Sequence, residues 1–228
     1  MTEAQEKGIS RLKIVLIGQP GSGKGTQVDL IHKNLGLVLI PSPGDIYRDP
    51  EFRKTDWGKT VAPIIDRGEF APNEITNQIM KEKIAALIDN GSRGFISEGY
   101  PRTLGQAEFA DKEIGIDLLI NLKVPEDIIA ARLSGRRVCP QCKKNYHLIT
   151  LPPKQEEICD ICGVSLVQRE DDKPEAIKKR LDVYHQTAEP TIEYYRSQNK
   201  VVDINGNQAV EKVFEDINGF LKNFEPER

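Results

Sequence analysis

Five short apolar runs, separated by longer segments of mixed polarity, set the pattern of this chain. The runs cover residues 12–17, 37–40, 94–97, 117–122 and 201–204 and are rich in Val, Ile and Leu. Runs of this length predict strands buried on both faces, as in a parallel sheet. Helices are predicted from residue 27 onward and over residues 72–89, 104–112, 125–133, 174–197 and 209–221. This alternation predicts an α/β fold with a doubly wound, five-stranded parallel sheet.

Two stretches break the alternation and are predicted to be insertions. Residues 42–71 combine turns with short helices, and residues 136–172 contain all four cysteines. The core then comprises residues 1–41, 72–135 and 173–228. On the helix from residue 72, Ile75, Ile79, Leu87 and Ile88 are expected mostly on one face, with residues 90 and 91 ending it. Pro190 is expected to bend the long helix from residue 174.

A glycine-rich stretch follows the first predicted strand. It reads Gly18-Gln19-Pro20-Gly21-Ser22-Gly23-Lys24-Gly25-Thr26 and precedes a predicted helix. A strand, a glycine loop and a helix in this order favour phosphate binding, because inward N–H groups, the helix N-terminus and a lysine all attract anions. The alternative is an ordinary strand-to-helix turn with spare glycines. The hydroxyl that usually follows the lysine is displaced by one position, since Gly25 precedes Thr26.

Composition and charge exclude several classes of function. The chain has 228 residues, of which 29% are charged and 38% hydrophobic, with a net charge of -3. Such a balance does not favour coating nucleic acid or an anionic membrane. No apolar run reaches the length of a membrane span and no signal peptide is visible, so a cytoplasmic monomer with no membrane or nucleic-acid partner is expected.

The four cysteines form two C-x-x-C pairs, Cys139 with Cys142 and Cys159 with Cys162. In a chain without a secretory signal, this spacing favours a structural zinc site in which two tight turns complete a tetrahedron. Two disulfides are the alternative, and a redox pair is disfavoured because neither motif begins a helix beside a strand. With four thiolates present, His147 is not needed as a ligand.

Together these motifs resemble the adenylate kinase family, in the long form whose lid carries a zinc ribbon. The resemblance covers about residues 11–221 and rests on the glycine loop, Gly44-Asp45 with Arg48, the Gly99–Thr103 stretch, residues 133–139 and Arg169 through Arg180. It implies a nucleoside monophosphate kinase with the P-loop NTPase fold, which reversibly transfers a phosphoryl group from MgATP to AMP and gives two ADP. It also implies that residues 42–71 bind the monophosphate and that residues 136–172 form the lid.

The resemblance also implies roles for individual residues. The phosphate-facing, catalytic positions are Lys24, Arg102, Arg136, Arg169 and Arg180. The ATP site comprises Gly21, Ser22, Gly23, Lys24, Gly25, Thr26, Arg132 stacked on the base, Arg136, Asn145, Tyr146 and Gln208. The AMP site comprises Pro43, Arg48, Glu69, Phe70, Ala71, Gly99, Tyr100, Pro101, Arg102, Gln106, Arg169 and Arg180. Asp45 and Glu98 would orient magnesium-bound water, the four cysteines would hold structural Zn²⁺, and Asp171 and Asp172 would either orient arginines or begin a helix.

Three positions depart from the family pattern. Pro43 replaces a threonine whose hydroxyl faces the base, and proline has no donor. Glu98 replaces an aspartate, and Ser97 places a hydroxyl on a buried strand. These departures keep two alternatives open: a UMP/CMP-type kinase, and a nucleotide-binding regulator or zinc-ribbon nucleic-acid binder that has lost turnover.

Overall fold

The computed structural model describes residues 8–66, 71–88 and 94–225. In these ranges the strands are β1 (Lys13–Gly18), β2 (Val38–Ile40), β3 (Phe95–Glu98), β4 (Leu118–Lys123), β5 (Arg136–Val138), β6 (Asn145–His147) and β7 (Val201–Asn205). The helices are α1 (Lys24–Leu35), α2 (Pro43–Arg48), α3 (Pro50–Lys54), α4 (Asp56–Asp66), α5 (Asn73–Leu87), α6 (Leu104–Glu113), α7 (Glu126–Ser134), α8 (Pro174–Arg196) and α9 (Val210–Leu221).

The predicted parallel sheet is confirmed, with strand order β2-β3-β1-β4-β7. β1 lies at its centre, and Val15 pairs with Ser97 on β3 and with Leu119 on β4. From β1 the sheet extends to β3 and β2 on one side and to β4 and β7 on the other. In open parallel sheets, ligands bind beyond the carboxyl ends of the strands where the order reverses, which here is the end of β1.

Helices cover both faces of the sheet because every second residue of β1 points the opposite way. Ile14 and Leu16 pack in a core with residues of α1 and α9, whereas Val15 and Ile17 pack in a second core with residues of α5, α6 and α8. A strand with apolar side chains on both faces is buried in a layered α/β domain. The continuous apolar runs in the sequence have this origin.

Several local expectations need correction. Residues 43–48 form a helix themselves, with Ser42 as its N-cap, where the sequence predicted only the entry to one. Leu87 was expected on the buried face of α5, but 40% of its surface is exposed. This helix ends at Leu87, and residues 90 and 91, the predicted end, lie outside the described residues. Pro190 lies inside α8, which runs from Pro174 to Arg196, and the bend expected there stays a prediction.

The two short helices α3 and α4 are packed tightly against each other. At Gly58, a Cβ atom would overlap the carbonyl oxygen of Phe52, so a close backbone contact requires glycine there. Arg53 on α3 also donates two hydrogen bonds to the carboxylate of Asp66 on α4, over 3.1 and 2.6 Å. Both contacts fix the angle between the helices.

The cysteine-containing segment has its own small sheet. β5 and β6 form an antiparallel hairpin in which Arg136 pairs with His147 and Val138 with Asn145. A separate buried cluster combines Cys139, Tyr146, Cys159 and Leu166. Among the described residues, no helix is both long and apolar enough to cross a membrane.

Candidate functional site

The glycine loop wraps around the carboxyl end of β1 and leads into α1. Gly21 has φ +83°, and a Cβ there would lie 2.8 Å from Cγ of Leu133, so both its backbone conformation and its surroundings require glycine. The Ser22 hydroxyl is buried in this loop and has no hydrogen-bond partner among the described residues. A buried polar group without a partner marks a place where a ligand can supply one.

Lys24 lies in the loop and interacts with a group of arginines. Its Nζ donates to the carbonyl oxygens of Gly18 and Gln19, over 2.8 and 2.9 Å. The pKa of Lys24 is lowered to about 8, chiefly by burial; the charge of Glu98 opposes this shift, and the positive charges of Arg102, Arg180 and Arg136 contribute to it. The structure therefore brings these four basic groups close enough to interact electrostatically, and their combined positive charge would strongly attract an anion.

Arg102 and Glu98 reach the loop from the carboxyl end of β3. The Glu98 carboxylate oxygen lies 3.5 Å from the place of a Cβ on Gly25, so the acid covers the start of α1. Gly99 has φ +71°, and a Cβ there would overlap the Arg102 guanidinium. Glycine at this position thus allows Arg102 to fold back over the end of the strand.

Arg48 adds a further positive charge from the segment after β2. Its Nη1 lies 3.4 Å from the Asp45 carboxylate, and Asp45 accepts a 2.6 Å hydrogen bond from Ser42. Burial lowers the pKa of Arg48, and the like charge of Arg169 lowers it too. Positive charges held this close together favour binding of a polyanion.

The acidic pair Asp171 and Asp172 orients three arginines. Asp172 is fully buried and accepts a two-pronged contact from Arg136, over 2.8 and 2.6 Å, and a 3.0 Å bond from Arg180. Asp171 accepts the fork of Arg169 over 2.8 and 2.6 Å. Of the two interpretations of this pair, the structure favours the orientation of arginines. Planar forks held in this way keep fixed directions for their remaining N–H groups.

On the side proposed for the ATP base, two of the predicted side chains lie close to the loop or to the turn after β7. Arg132 donates to the carbonyl oxygen of Gly206 over 3.0 Å and contacts that of Ser22 at 3.5 Å. Gln208 donates to the carbonyl oxygen of Asn205 and to Asp216, both over 2.9 Å. Asn145, on the hairpin, is exposed.

Tyr146 is buried within the cysteine-containing segment. Only 3% of Tyr146 is exposed, and its hydroxyl lies 3.5 Å from Sγ of Cys159 and accepts the N–H of Asp160 over 2.9 Å. The ring packs the cysteine-containing segment, which has little other core. The expectation that Tyr146 contributes to the ATP site stays a prediction.

On the side proposed for AMP, the predicted side chains differ in what they offer. Tyr100 is buried and donates to Oδ1 of Asn77 over 2.9 Å, so its hydroxyl is already occupied. Gln106 is buried and hydrogen-bonded to the Arg102 N–H and to Asn73. The remaining predicted positions are Pro43, Ala71 and Pro101, which are buried, and Glu69 and Phe70, which lie outside the described residues. Sequence reasoning missed Asn73, since an asparagine at a helix start is an ordinary residue.

The four cysteine sulfurs come together as a possible metal site. Each Sγ lies within 4.8 Å of the others, and those of Cys142 and Cys159 are 3.6 Å apart. A Zn–S distance of ~2.3 Å corresponds to sulfurs about 3.8 Å apart in a tetrahedron. The cysteines are free, so the alternative of two disulfides is wrong. His147 lies outside this cluster, and its Nδ1 accepts the N–H groups of Ile149 and Thr150 over 3.1 Å.

Comparison with known proteins gives consistent matches. The family profile described as "Adenylate kinase" matches residues 16–200. The chain is 44% identical over 218 residues to the adenylate kinase of Petrotoga mobilis, which covers 93% of this chain and 99% of that protein. It is 43% identical over 211 residues to an adenylate kinase of a Thermoanaerobacter species, covering 90% and 96% of the two chains. The adenylate kinase of Clostridium acetobutylicum is 41% identical over 215 residues, covering 92% and 99%.

Proposed function

The chain belongs to the adenylate kinase family, whose reaction is reversible phosphoryl transfer from MgATP to AMP, and we propose how its residues divide that task. One observation carries the proposal: Lys24, Arg102, Arg136 and Arg180 lie close enough for each arginine to lower the pKa of the lysine. Phosphoryl transfer requires little covalent chemistry from the protein. It requires two polyanions held in line and neutralisation of the charge that develops between them.

The donor side of this scheme is the glycine loop. The N–H groups at the start of α1, together with Lys24, bind the ATP phosphates, and the unpartnered Ser22 hydroxyl is available to them. Arg136 and Arg180, fixed by Asp172, contact the migrating phosphoryl group. Arg132 packs against the adenine of ATP, since it already lies between the loop and the turn at Gly206.

The acceptor side begins at Arg48, which binds the AMP phosphate together with Arg102 and Arg169. Gln106 recognises the adenine edge. Its Oε1 and Nε2 each make one internal hydrogen bond, which leaves one lone pair and one hydrogen for a base. Adenine presents a matching donor at N6 and acceptor at N1. Pro43 offers no donor, which is why a UMP/CMP-type kinase is the alternative.

Magnesium would arrive with ATP, and the protein's contribution to it is indirect. The ion neutralises phosphate charge and keeps several bound waters. Glu98, beside Gly25, and Asp45, beside Ser42, are the carboxylates available to hydrogen-bond those waters.

The cysteine cluster would hold zinc as a structural ion. Four thiolates with compatible spacing leave no open coordination position for water or substrate. Residues 136–172 form the lid in this proposal, residues 42–71 the monophosphate-binding insertion, and residues 1–41, 72–135 and 173–228 the core. The metal would supply folding energy to a lid whose described core is a small cluster around Tyr146.

The test is an assay of acceptor preference. With MgATP as donor, AMP, GMP, CMP and UMP are compared by kcat/KM in a coupled assay of ADP formation. We expect AMP to exceed GMP and UMP by at least about tenfold, because guanine and uracil present the opposite pattern of donor and acceptor to the two free atoms of Gln106. Cytosine presents the same pattern as adenine on a smaller ring, so CMP is the competitor that decides between the two kinases. A preference for UMP or CMP would establish the alternative kinase. Absence of ADP formation from any acceptor would favour the non-catalytic regulator or nucleic-acid binder.

A second prediction concerns proton uptake when ATP binds. In the free protein, the pKa of Lys24 is lowered to about 8, so at pH 9 the amine is mostly neutral. Bound phosphates favour the charged form and raise this pKa, so binding at pH 9 should take up close to one proton, whereas binding at pH 6.5 should leave Lys24 unchanged. Calorimetric titration with ATP in two buffers of different ionisation enthalpy measures the uptake.

The control for proton uptake is Lys24→Arg, which stays charged at both values of pH. Its binding at pH 9 should be independent of the ionisation enthalpy of the buffer. An equal uptake by the wild type and this variant would assign the proton to another group and contradict the role given to the Lys24 pKa.

A further inference from the structure

The Gln106 amide is held in one orientation by the protein itself. Its Oε1 accepts the backbone N–H of Arg102 over 2.9 Å, and its Nε2 donates to Oδ1 of Asn73 over 3.1 Å. A backbone N–H can only donate, so the oxygen of the amide must face Arg102. Only 6% of Gln106 is exposed, which makes an unsatisfied flipped amide costly.

Asn73 is itself oriented by a ring of hydrogen bonds. Its Oδ1 accepts from the Thr103 hydroxyl over 3.0 Å, and that hydroxyl accepts the N–H of Gln106 over 3.3 Å. The only proton of the Thr103 hydroxyl is therefore directed at Asn73, whose oxygen end must face it. The Asn73 amide nitrogen lies over Gly105, 3.1 Å from where a Cβ would be, so glycine there gives the amide its space.

We propose that Asn73 is a positioning residue that makes the acceptor site select adenine against 6-oxopurines. Adenine presents a donor at position 6 and an acceptor at position 1, whereas hypoxanthine presents an acceptor at position 6 and a donor at position 1. The two bases therefore require opposite orientations of the same amide. The inference rests on the proposed function, in which Gln106 faces the AMP base.

Asn73 contributes to selection because it raises the cost of the flip. A flipped Gln106 would place its NH₂ against the Arg102 N–H and its oxygen against Oδ1 of Asn73, so two hydrogen bonds would become repulsive contacts. Without the Asn73 oxygen, only the contact with Arg102 would oppose the flip. IMP should then be accepted more readily relative to AMP.

The experiment compares kcat/KM for AMP and IMP in the wild type, Asn73→Leu and Asn73→Asp, with MgATP as donor. Leucine keeps the volume and removes the acceptor, whereas aspartate keeps an acceptor oxygen for both Thr103 and Gln106. We expect Asn73→Leu to lower the AMP:IMP ratio of kcat/KM by about five- to tenfold, the effect of one net hydrogen bond. Asn73→Asp should keep the ratio within about twofold of the wild type. Asn73→Ala gives the same test if leucine prevents folding.

The outcomes separate this inference from the proposed function. If Asn73→Leu lowers kcat/KM for both acceptors equally, or if the aspartate variant loses selectivity as well, Asn73 has only a structural role and the inference is wrong. Gln106→Leu is measured in parallel. If it leaves the AMP value and the ratio unchanged, Gln106 does not contact the base, and the proposed acceptor contact is wrong together with the inference.

Discussion

Replacing Lys24 with methionine should lower kcat by about a hundred- to a thousandfold while the melting temperature changes by only a few degrees. The loss is that of one positive group aimed at charge that develops during transfer. The small effect on stability follows from the lowered pKa of Lys24, which means that burial of the charged amine costs folding free energy. Methionine removes that cost, and this offsets part of the loss of the two hydrogen bonds to Gly18 and Gln19. Steady-state kinetics with MgATP and AMP, with calorimetric unfolding, measures both.

Lys33→Met is the matched control for Lys24→Met. Lys33 lies on the same helix, α1, but is exposed in its last turn. Its replacement should leave kcat within about twofold, as expected for a surface position. If Lys24→Met retained more than about a tenth of wild-type kcat, the lysine would not act on the transferred group.

The second large effect is expected in stability. Cys139→Ser should abolish stoichiometric zinc binding and lower the melting temperature by about 5 to 10 °C, since a loss of ~2–3 kcal/mol corresponds to about 2–4 °C per kcal/mol in a chain of this size. Cys139 is completely buried beside Tyr146 and Cys159, so serine leaves both an incomplete metal site and a poorly packed lid. Turnover measured in the cold should fall much less. Elemental analysis, calorimetry and low-temperature kinetics measure the three quantities.

Ile161→Ser provides the comparison for the cysteine variant. Ile161 lies between Cys159 and Cys162 in the sequence, within the second C-x-x-C pair. Its surface is 68% exposed, and its side chain has no metal-binding atom. The Ile161→Ser protein should bind zinc as the wild type does and melt near the wild-type temperature. A Cys139→Ser protein that lost turnover with an intact melting curve would contradict a structural role for the metal.

The fold could be predicted from the sequence because the apolar runs of the strands and the glycine loop are both local features of the chain. Within residues 12–17, the four residues 14–17 form a continuous apolar run because the two faces of β1 lie in two different cores, and the glycine loop directly follows. Each predicted strand end lies within one residue of the observed one. The helix at residues 43–48 was missed because Pro43 and Gly44 indicate a turn, whereas Pro43 at the first helical position and Ser42 as N-cap begin a helix.

Site residues were harder to place, because the direction of a side chain depends on distant neighbours. Tyr146 follows an exposed asparagine on a hairpin, and nothing local shows that Cys159, 13 residues later, draws its ring inward. Tyr100, in the loop after β3, is paired with Asn77 on α5. Asn73 and Gln106 are 33 residues apart, and their contact exists only because α5 and α6 pack together. Sequence spacing indicated the chemistry of the site but not these long-range pairs.

The contact between Gly58 and the Phe52 carbonyl oxygen has a mechanical consequence. Because the backbones of α3 and α4 are in direct contact and Arg53 is hydrogen-bonded to Asp66, neither helix can tilt without the other. A nucleotide that drew these helices toward the core would move α3 and α4 together as one rigid body. The bending would then fall on the backbone before Pro50, and a side chain as small as alanine at Gly58 would force the two helices apart.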